Sequence, residues 1–384
     1  MKNAVTLENL ISALSLSLDL AENRKLEHAR RTAYIAIRIA ETLKLNKNQI
    51  SDIYYGALLH DIGKPGLAVN NSLHQHSEVG AKIVSQIPFL EEIQPIIHQH
   101  HEHWNGTGPN TLQGQEINIG ARIIRIADDI EYHFSTDYSR ISAQELQNFL
   151  ENNKEKAFDP ILTAATISLS KEKDFLSNLS LPKIDGILHN KKPTYFKEIC
   201  YNDLEIIGGI FASLIDSKSP FTAAHSSGVA EISEKLAQKS GLNQETCQKI
   251  KISGLLHDLG KMAIPNEILD KPGRLTSEEY KIIQSHSYYT ELILNELPAI
   301  RDIKEWGSMH HERLDGSGYH NSLPGHIIPI EGRIIAVADI YHALTANRPY
   351  RKGMEKEKAL AIIQKECEHG KLDWDLFNLL KNIA

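Results

Sequence analysis

The sequence contains few cysteines and no long apolar segment. Only three cysteines, Cys200, Cys247 and Cys367, occur in 384 residues, and no CxxC pair is present. A disulfide framework and a thiolate zinc site are therefore not indicated, and the pattern is typical of a reducing compartment. No segment is apolar over the ~20 residues that a membrane helix needs. The apolar residues 10–20 include Asp19 and read as an amphipathic helix, not a signal peptide, so we expect a cytoplasmic protein without a membrane segment.

The chain also lacks the basic runs that are typical of proteins binding long nucleic acids. Its formal net charge is −7, and no long stretch of Lys and Arg occurs. Because affinity for DNA or RNA depends on neutralising many phosphates, we do not expect a long nucleic acid as partner. A small anionic ligand held by a few cations is compatible with this composition. Hydrophobic residues at 41% and charged residues at 24% otherwise describe an ordinary globular protein of two or three domains.

Histidine is the residue present in unusual number, and the 19 histidines reveal an internal repeat. His60-Asp61 recurs as His257-Asp258, 197 positions later. His100-His101 recurs as His310-His311 with a spacing of 210, which indicates a longer loop in the second copy. Chance does not keep so many His and Asp residues in register, and we therefore interpret the chain as two homologous modules.

Both modules show the hydrophobic periodicity of helices. Residues 29–43 place Ala33, Ile35, Ala36 and Ile39 near the 3.6-residue period, and no convincing alternating run occurs in the sequence. We therefore predict an all-α fold of two tandem helical bundles related by internal duplication. The predicted boundaries are residues 1–180 for the first module, 181–197 for a linker with two prolines, and 198–384 for the second module.

The repeated histidines and aspartates are suited to bind metal ions. Neutral imidazole is the commonest protein metal ligand near pH 7, and a carboxylate can hold two cations about 3.5–4 Å apart. In the second module Asp258 would be shared, joining His225, His257 and Asp339 around one metal and three further histidines around the other. Nitrogen-rich ligation with carboxylates suits iron, manganese or zinc better than magnesium or calcium. The predicted ligands of the second module are His225, His257, Asp258, His286, His310, His311 and Asp339.

Two metals this close favour hydrolysis of a phosphoester. A water bridging them would become hydroxide, because the pKa of metal-bound water falls towards ~7, and this hydroxide would attack phosphorus. Lys261 follows His257 by four residues and would lie on the same side of a helix, where it could stabilise phosphate charge. We therefore expect Asp258 and Lys261 to be catalytic and Lys261 to contact the substrate.

The second module resembles a known family. The run His257-Asp258-Leu259-Gly260-Lys261 resembles the HD-domain metal-dependent phosphohydrolases. Residues 310–319, His-His-Glu-Arg-Leu-Asp-Gly-Ser-Gly-Tyr, and residues 347–351, Asn-Arg-Pro-Tyr-Arg, resemble the HD-GYP subgroup. The resemblance implies helical HD-type bundles and a phosphodiesterase that hydrolyses cyclic di-GMP or 3′,3′-cyclic GMP-AMP with divalent metals, iron being expected first. It also implies substrate contacts by Gly318, Tyr319, Arg348 and Arg351.

Three residues depart from the HD-GYP pattern. His320 replaces the proline of the signature, and His342 replaces an aspartate three places after Asp339. Phe221 stands where some members have a glutamate that holds a third metal. This last departure favours two metals in the second module.

The first module keeps the metal-binding pattern but not the substrate signature. Asn105 stands where the second module has Asp315, Pro109-Asn110 stands where it has Tyr319-His320, and residues 347–351 have no counterpart. We therefore predict a regulatory module that contacts the second module and has weak or no hydrolysis, in a chain that could form a homodimer. Its possible metal site consists of His28, His60, Asp61, His76, His100, His101 and Asp128.

Two other functions remain open. The chain could be an HD phosphohydrolase of mononucleotides, but residues 310–319 and 347–351 disfavour that reading. It could instead be a non-catalytic protein that senses a nucleotide or serves as a scaffold. The losses in the first module and His320 favour this second alternative, whereas the complete ligand set of the second module opposes it.

Overall fold

The computed structural model describes residues 5–21, 27–65, 73–134, 141–172, 174–179, 184, 186–188, 198–219, 224–347 and 352–383. These residues form eighteen α-helices and short 3₁₀ turns, and the only extended pairings among them are three isolated bridges. The predicted all-α fold is therefore confirmed. Within the same ranges, no helix is both long enough and apolar enough to cross a membrane.

The helices are numbered in chain order. Those before the predicted linker are α1 Leu7–Ala21, α2 His28–Thr42, α3 Lys47–Leu59, α4 Leu73–Val84, α5 Gln94–Gln99, α6 Ile119–Phe134, α7 Ala143–Asn153 and α8 Pro160–Ser170. Those after it are α9 Tyr201–Lys218, α10 His225–Lys239, α11 Gln244–Leu256, α12 Asn266–Leu269, α13 Ser277–Gln284, α14 His286–Leu294, α15 Arg301–Ser308, α16 Ile330–Thr345, α17 Lys356–Glu368 and α18 Trp374–Ile383.

Packing divides the chain into two compact units. One is Arg24–Phe196, and the other joins Lys197–Ala384 to Met1–Asn23. Helix α1 thus belongs to the unit of the second module, where it packs against α14 and the 3₁₀ turn Leu259–Ala263. The predicted first module included this helix, because the repeat pairs α1 with α9. A repeat identifies homologous helices, however, and not the unit against which each one packs.

Matching local sequences explain why the two modules fold alike. Asn243 precedes α11, and its side-chain oxygen accepts a hydrogen bond from Thr246 N at 2.9 Å. Asn46 caps α3 in the same way, accepting from Gln49 N at 3.0 Å. An N-cap of this kind contributes about 1 kcal/mol. Each capped helix then runs 13 residues to its C-terminal end, where the His-Asp dipeptide follows.

Three helices form the core that positions the predicted site of the second module. Helix α10 packs against α11 and α16 through buried side chains that include Val229, Ile250 and Ile334. Fully burying an aliphatic side chain of this size stabilises the fold by roughly 1.5–3 kcal/mol. In the first module α2, α3 and α6 make the corresponding contacts. Both modules therefore hold their His and Asp residues on a rigid helical frame.

Candidate metal centres

The seven predicted ligands of the second module converge at one place. They come from three helices, α10, α14 and α16, and from the turns that follow α11 and α15, which explains their wide spacing in the sequence. All are buried except His311, which is half-buried. The structure therefore brings together every side chain of the predicted set, namely His225, His257, Asp258, His286, His310, His311 and Asp339.

The Asp258 carboxylate lies at the centre of this cluster. Its Oδ2 is 3.5 Å from His225 Nε2 and 3.3 Å from His257 Nε2. Its Oδ1 is 3.4 Å from His286 Nε2 and 3.8 Å from His310 Nε2. Each oxygen thus faces two imidazole nitrogens, which is the arrangement expected of a carboxylate shared by two cations.

Asp339 closes the cluster opposite Asp258. Its Oδ1 is 3.2 Å from His225 Nε2, and its Oδ2 is 4.0 Å from His311 Nδ1. The potential ligand atoms form two groups, and within each group all atoms lie within 4.8 Å of one another. One group joins Asp339 to two histidines, and the other contains three histidines. The division has the form predicted for two metals. The groups are His225, His257 and Asp339, and His286, His310 and His311.

Backbone carbonyls fix the orientation of three imidazoles. The Nδ1 atoms of His257, His286 and His310 lie 2.7, 2.6 and 2.7 Å from the carbonyl oxygen three residues earlier. A carbonyl can only accept, so each Nδ1 carries the hydrogen and each Nε2 directs a lone pair at Asp258. Such partners fix the tautomer of a metal-binding histidine.

Two atoms of the cluster are buried without a hydrogen-bond partner in the described part of the chain. They are His257 Nε2 and Asp258 Oδ1. Leaving a buried polar atom unpaired costs about 1–3 kcal/mol. A cation between the imidazoles and the carboxylate would satisfy both atoms, so the residues present fit a metal site.

Electrostatics keep these ligands in the form that binds metal. Burial opposes the charge of Asp258, but His257 and Lys261 hold the pKa of this carboxyl well below its usual range. Burial lowers the pKa of His286 to about 4 and that of His310 well below its usual value. Near neutral pH the site therefore offers an ionised Asp258 carboxylate and neutral imidazoles at His286 and His310, the forms that metal ligation requires. At His257 burial opposes the charge, but Asp258 raises the pKa, so this imidazole would release its proton when metal binds.

Lys261 lies beside the central carboxylate. Its Nζ is 2.5 Å from Asp258 Oδ2, and its side chain is 20% exposed. Lys64 contacts Asp61 in the same way in the first module. The lysine is thus common to both modules, and its predicted contact with substrate is not what distinguishes them.

Tyr319 covers the outer side of the cluster. Its ring centroid is 4.6 Å from that of His311 and 6.4 Å from that of His286. Burial raises the pKa of Tyr319, so the phenol is neutral. Gly318 permits this arrangement, because a Cβ there would lie 2.4 Å from the Cα of Glu312. The predicted substrate contacts Arg348 and Arg351 lie outside the described residues.

Glu312 was absent from the predicted site, yet its carboxylate holds the loop that carries Tyr319. Its Oε1 accepts from Asn321 N at 2.8 Å, and its Oε2 accepts from Leu323 N at 2.9 Å. Glu102 accepts from the corresponding pair of backbone amides in the first module, with Asn110 N at 2.7 Å. A glutamate after His-His in both copies was the available sequence signal.

These hydrogen bonds correct one predicted correspondence between the loops. Asn110 and Asn321 donate to equivalent carboxylates, so Asn110 corresponds to Asn321 and not to His320. The spacing between the modules is 210 at the His-His pairs and 211 from Asp128 to Asp339, and the extra residue therefore falls inside this loop. Pro109 alone stands where the second module has Tyr319-His320, and the first module is one residue shorter there.

Asp315 and Asn105 make the same hydrogen bonds within their loops. Its exposed carboxylate accepts from Ser317 N at 2.9 Å and Oγ at 2.6 Å. Asn105 Oδ1 accepts from Thr107 N at 3.1 Å and Oγ1 at 2.7 Å. Both residues therefore close the same side-chain turn. The exchange of Asp315 for Asn105 thus leaves this turn unchanged, whereas the tyrosine of the second module has no equivalent in the loop of the first.

His342 orients the first histidine of the second module. Its Nδ1 is 3.0 Å from His225 Nδ1. In the first module the carboxylate of Glu131 contacts His28 Nδ1, and it also accepts from Arg31 Nε at 2.9 Å. The His342 imidazole therefore takes the place that the Glu131 carboxylate has in the first module. The departure from the family pattern at residue 342 thus lies behind the predicted ligand His225.

His320 points away from the cluster and towards α14. Its Nε2 is 3.0 Å from Glu291 Oε2, and its ring centroid is 6.1 Å from that of Tyr288. The imidazole thus ties the end of the loop to a neighbouring helix. The loss of the family proline at this position leaves the contact between Tyr319 and His311 in place.

The first module assembles its seven residues in the same way. Asp61 Oδ2 is 3.4 Å from His60 Nε2 and 3.7 Å from His28 Nε2, and its Oδ1 is 3.6 Å from His76 Nε2. Burial opposes the charge of His28, but the hydrogen bonds that it donates to the carboxylates of Asp61 and Glu131 raise its pKa to about 10. His76, His100 and His101 form one potential ligand group, and His28, His60 and Asp128 form another. Clusters suited to bind metal therefore occur in both modules.

Two helical units that each place a His-Asp dipeptide in a histidine cluster define a tandem HD-domain protein. Residues 26–133 and 209–376 each match a family model described as HD domain. The chain is 30% identical over 442 residues to 3′3′-cGAMP-specific phosphodiesterase 3 of Vibrio cholerae serotype O1, covering 99% of this chain and 95% of that protein. It is also 30% identical to 3′3′-cGAMP-specific phosphodiesterase 1 of the same organism, and this match covers 98% of this chain and 91% of that protein.

A solved structure agrees with these sequence similarities. It is the crystal structure of a cyclic GMP-AMP specific phosphodiesterase of V. cholerae, V-cGAP3, with a TM-score of 0.74 at 29% identity. The match covers 99% of this chain and 98% of that one. This chain belongs to the HD-GYP family of HD-domain cyclic dinucleotide phosphodiesterases, as the resemblance of the second module indicated.

Proposed function

We propose that this chain is a metal-dependent phosphodiesterase that hydrolyses a cyclic dinucleotide in its second module, with 3′,3′-cyclic GMP-AMP as the preferred substrate. The central observation is the Asp258 carboxylate, which faces four imidazole nitrogens at 3.3–3.8 Å and keeps one oxygen unpaired. The choice of dinucleotide is supported by two relatives named for this substrate, whose similarity extends through both modules. Cyclic di-GMP, which the HD-GYP resemblance also allows, is the second candidate.

The cluster of the second module would hold two divalent metal ions, with Asp258 shared between them. When bound, they supply positive charge for the phosphate and activate water near neutral pH. The nitrogen-rich ligand set favours iron, with manganese or zinc as substitutes. The first module, with a similar cluster, could also bind metal.

The remaining residues of the site position the substrate. Lys261 holds its ammonium group beside Asp258, where it would attract a phosphate oxygen. Tyr319 forms a neutral wall against His311, and Gly318 allows the chain to approach closely enough to place it. Arg348 and Arg351 are proposed to contact phosphate from the segment that the resemblance identified.

We assign a regulatory role to the first module. Its loop is one residue shorter and carries Pro109 in place of Tyr319-His320, so this loop has no tyrosine that could cover the cluster. The two open alternatives, a mononucleotide phosphohydrolase and a non-catalytic sensor, predict different products in the same assay. The first would release phosphate from mononucleotides, and the second would give no product.

The test uses the full chain loaded anaerobically with Fe²⁺ or Mn²⁺ and offered each cyclic dinucleotide. We expect a linear dinucleotide, faster from cyclic GMP-AMP than from cyclic di-GMP. A variant with both His257 and Asp258 changed to Ala should lose at least a thousandfold in activity. The matched variant with His60 and Asp61 changed to Ala should keep its activity. No product from either dinucleotide, with either metal, would refute the proposed function.

A further inference from the structure

Arg125 occupies a position beside the metal cluster of the first module that has no counterpart in the second. Its Nη1 lies 3.4 Å from His101 Nδ1, and its Nη2 is 2.8 Å from Asp129 Oδ2. The side chain is only 14% exposed. With the spacing of 211 that relates α6 to α16, the second module has Ala336 and Ile340 at these two positions.

This contact determines how His101 can use its two ring nitrogens. A guanidinium group only donates hydrogen bonds, so Nδ1 of His101 accepts and its Nε2 carries the hydrogen. That Nε2 lies 2.9 Å from His76 Nε2, to which it donates. Nδ1 of His101 therefore accepts a hydrogen bond from Arg125, and Nε2 of His76 accepts one from His101.

The corresponding histidine of the second module has different neighbours. His311 Nδ1 faces Asp339 Oδ2 at 4.0 Å, and its ring is covered by Tyr319 at 4.6 Å. The Arg313 guanidinium also lies near His311, but its Nη1 is directed at the backbone oxygens of His310 and Glu312, at 3.4 and 3.1 Å. Among the described residues, a guanidinium therefore contacts a ring nitrogen of His101 but not one of His311. A fixed positive charge at this place opposes a second cation in the first module, and Asp129 keeps that charge in position.

The other half of the first cluster has the same cation as the second module, because Lys64 contacts Asp61 as Lys261 contacts Asp258. His28 Nε2 and His60 Nε2 lie 3.4 and 3.5 Å from Asp128 Oδ1. The nearby Arg31 guanidinium is directed at Glu131, with Nε 2.9 Å from its Oε1. The atoms that would hold one metal ion are thus arranged as in the second module.

We propose that Arg125 takes the place of a second cation in the first module, so that this module binds one divalent metal ion while the second module binds two. The inference rests on the proposed metal binding by the two clusters and is independent of hydrolysis. It assigns the first module a mononuclear site with a built-in positive charge.

Metal content of the full chain tests this proposal. After loading with Mn²⁺ and desalting, the wild-type chain should hold three ions by elemental analysis. Arg125→Met should hold four, and the conservative variant Arg125→Lys should hold three. Arg38→Met serves as the matched control, because Arg38 pairs with Glu172 on the same module and should leave the count at three. The variant with His60 and Asp61 changed to Ala should hold two.

Electron paramagnetic resonance provides a second readout. The wild-type chain should show one uncoupled Mn²⁺ per chain besides a coupled pair, and Arg125→Gln and Arg125→Met should convert the uncoupled signal into a second coupled pair. Thermal unfolding shows whether each variant is folded. Two neutral replacements of Arg125 are used so that the test can still be read if one of them does not fold. A wild-type count of two or four, or neutral variants with an unchanged count and signal, would overturn the proposal. A wild-type chain that holds three ions but shows no hydrolysis would refute the proposed function and leave this proposal standing.

Discussion

Replacing Glu312 with Ala should release the loop that carries Tyr319. The change removes two hydrogen bonds from backbone amides, those of Asn321 at 2.8 Å and Leu323 at 2.9 Å. A hydrogen bond to a charged group contributes about 1.5–3 kcal/mol, so the pair contributes roughly 3–6 kcal/mol. Because water can reach the freed amides once the loop opens, we expect the free energy of unfolding to fall by about 3 kcal/mol. That is a large part of the about 5–15 kcal/mol of a typical protein.

The same Glu→Ala change should lower stability in both modules but lower activity only when it is made in the second. The assay compares Glu312→Ala with Glu102→Ala, which removes the corresponding pair of contacts in the first module. Chemical denaturation should show a similar loss of stability for both variants, each in its own unit. Hydrolysis of the cyclic dinucleotide should fall at least tenfold in kcat/KM for Glu312→Ala, because Tyr319 no longer rests on His311. The Glu102→Ala variant should stay within about twofold of the wild type.

Limited proteolysis under native conditions decides whether the loop is the cause. Cleavage between residues 313 and 323 should become faster in Glu312→Ala and remain unchanged in Glu102→Ala. If both variants lost activity equally, the loop could not act through the second cluster. If Glu312→Ala kept full activity with a cleavable loop, the assigned role of Tyr319 would be wrong.

Two further predictions concern groups behind the cluster of the second module. His342→Ala should weaken metal binding about 10–100-fold in a chelator competition, because His225 loses the partner that orients its ring, and an unchanged affinity would contradict this role. Burial raises the pKa of Asp216 from 3.8 to about 6, so the folded chain binds more protons than the unfolded chain between these pH values. The free energy of unfolding of metal-free protein should therefore fall as pH rises from 4 to 6. The free energy of unfolding of Asp216→Asn should exceed that of the wild type by about 1–2 kcal/mol at pH 8, after allowance for solvent screening. Near pH 4 the two free energies should be equal.

The internal repeat made the metal clusters predictable. His and Asp residues kept in register across two copies identified all fourteen cluster positions, and the structure brings each set together. The helical period likewise predicted the fold class, because amphipathic helices such as α2 bury one continuous apolar face. Features shared by both copies were therefore accessible from the sequence.

Features that depend on packing were not accessible in the same way. The function of Glu312 lies in two backbone amides about ten residues away, and nothing in the residue type distinguishes a loop anchor from a metal ligand. Arg125 occurs in one copy only, so the repeat gave no reason to single it out. The position of α1 depends on which apolar surface is available to it, and that is a property of the folded unit.

The packing of α1 has a consequence for how the chain folds during synthesis. Residues 7–21 are made well before their partners, α14 and Leu259–Ala263, which follow more than 230 residues later. At roughly 5–20 residues per second this helix, whose buried face includes Leu7, Leu10 and Leu14, waits on the order of ten seconds or more for its partners. The unit Arg24–Phe196 can complete its own core in that interval. Helix α1 is therefore made early in translation but is among the last helices of this chain to reach its final place.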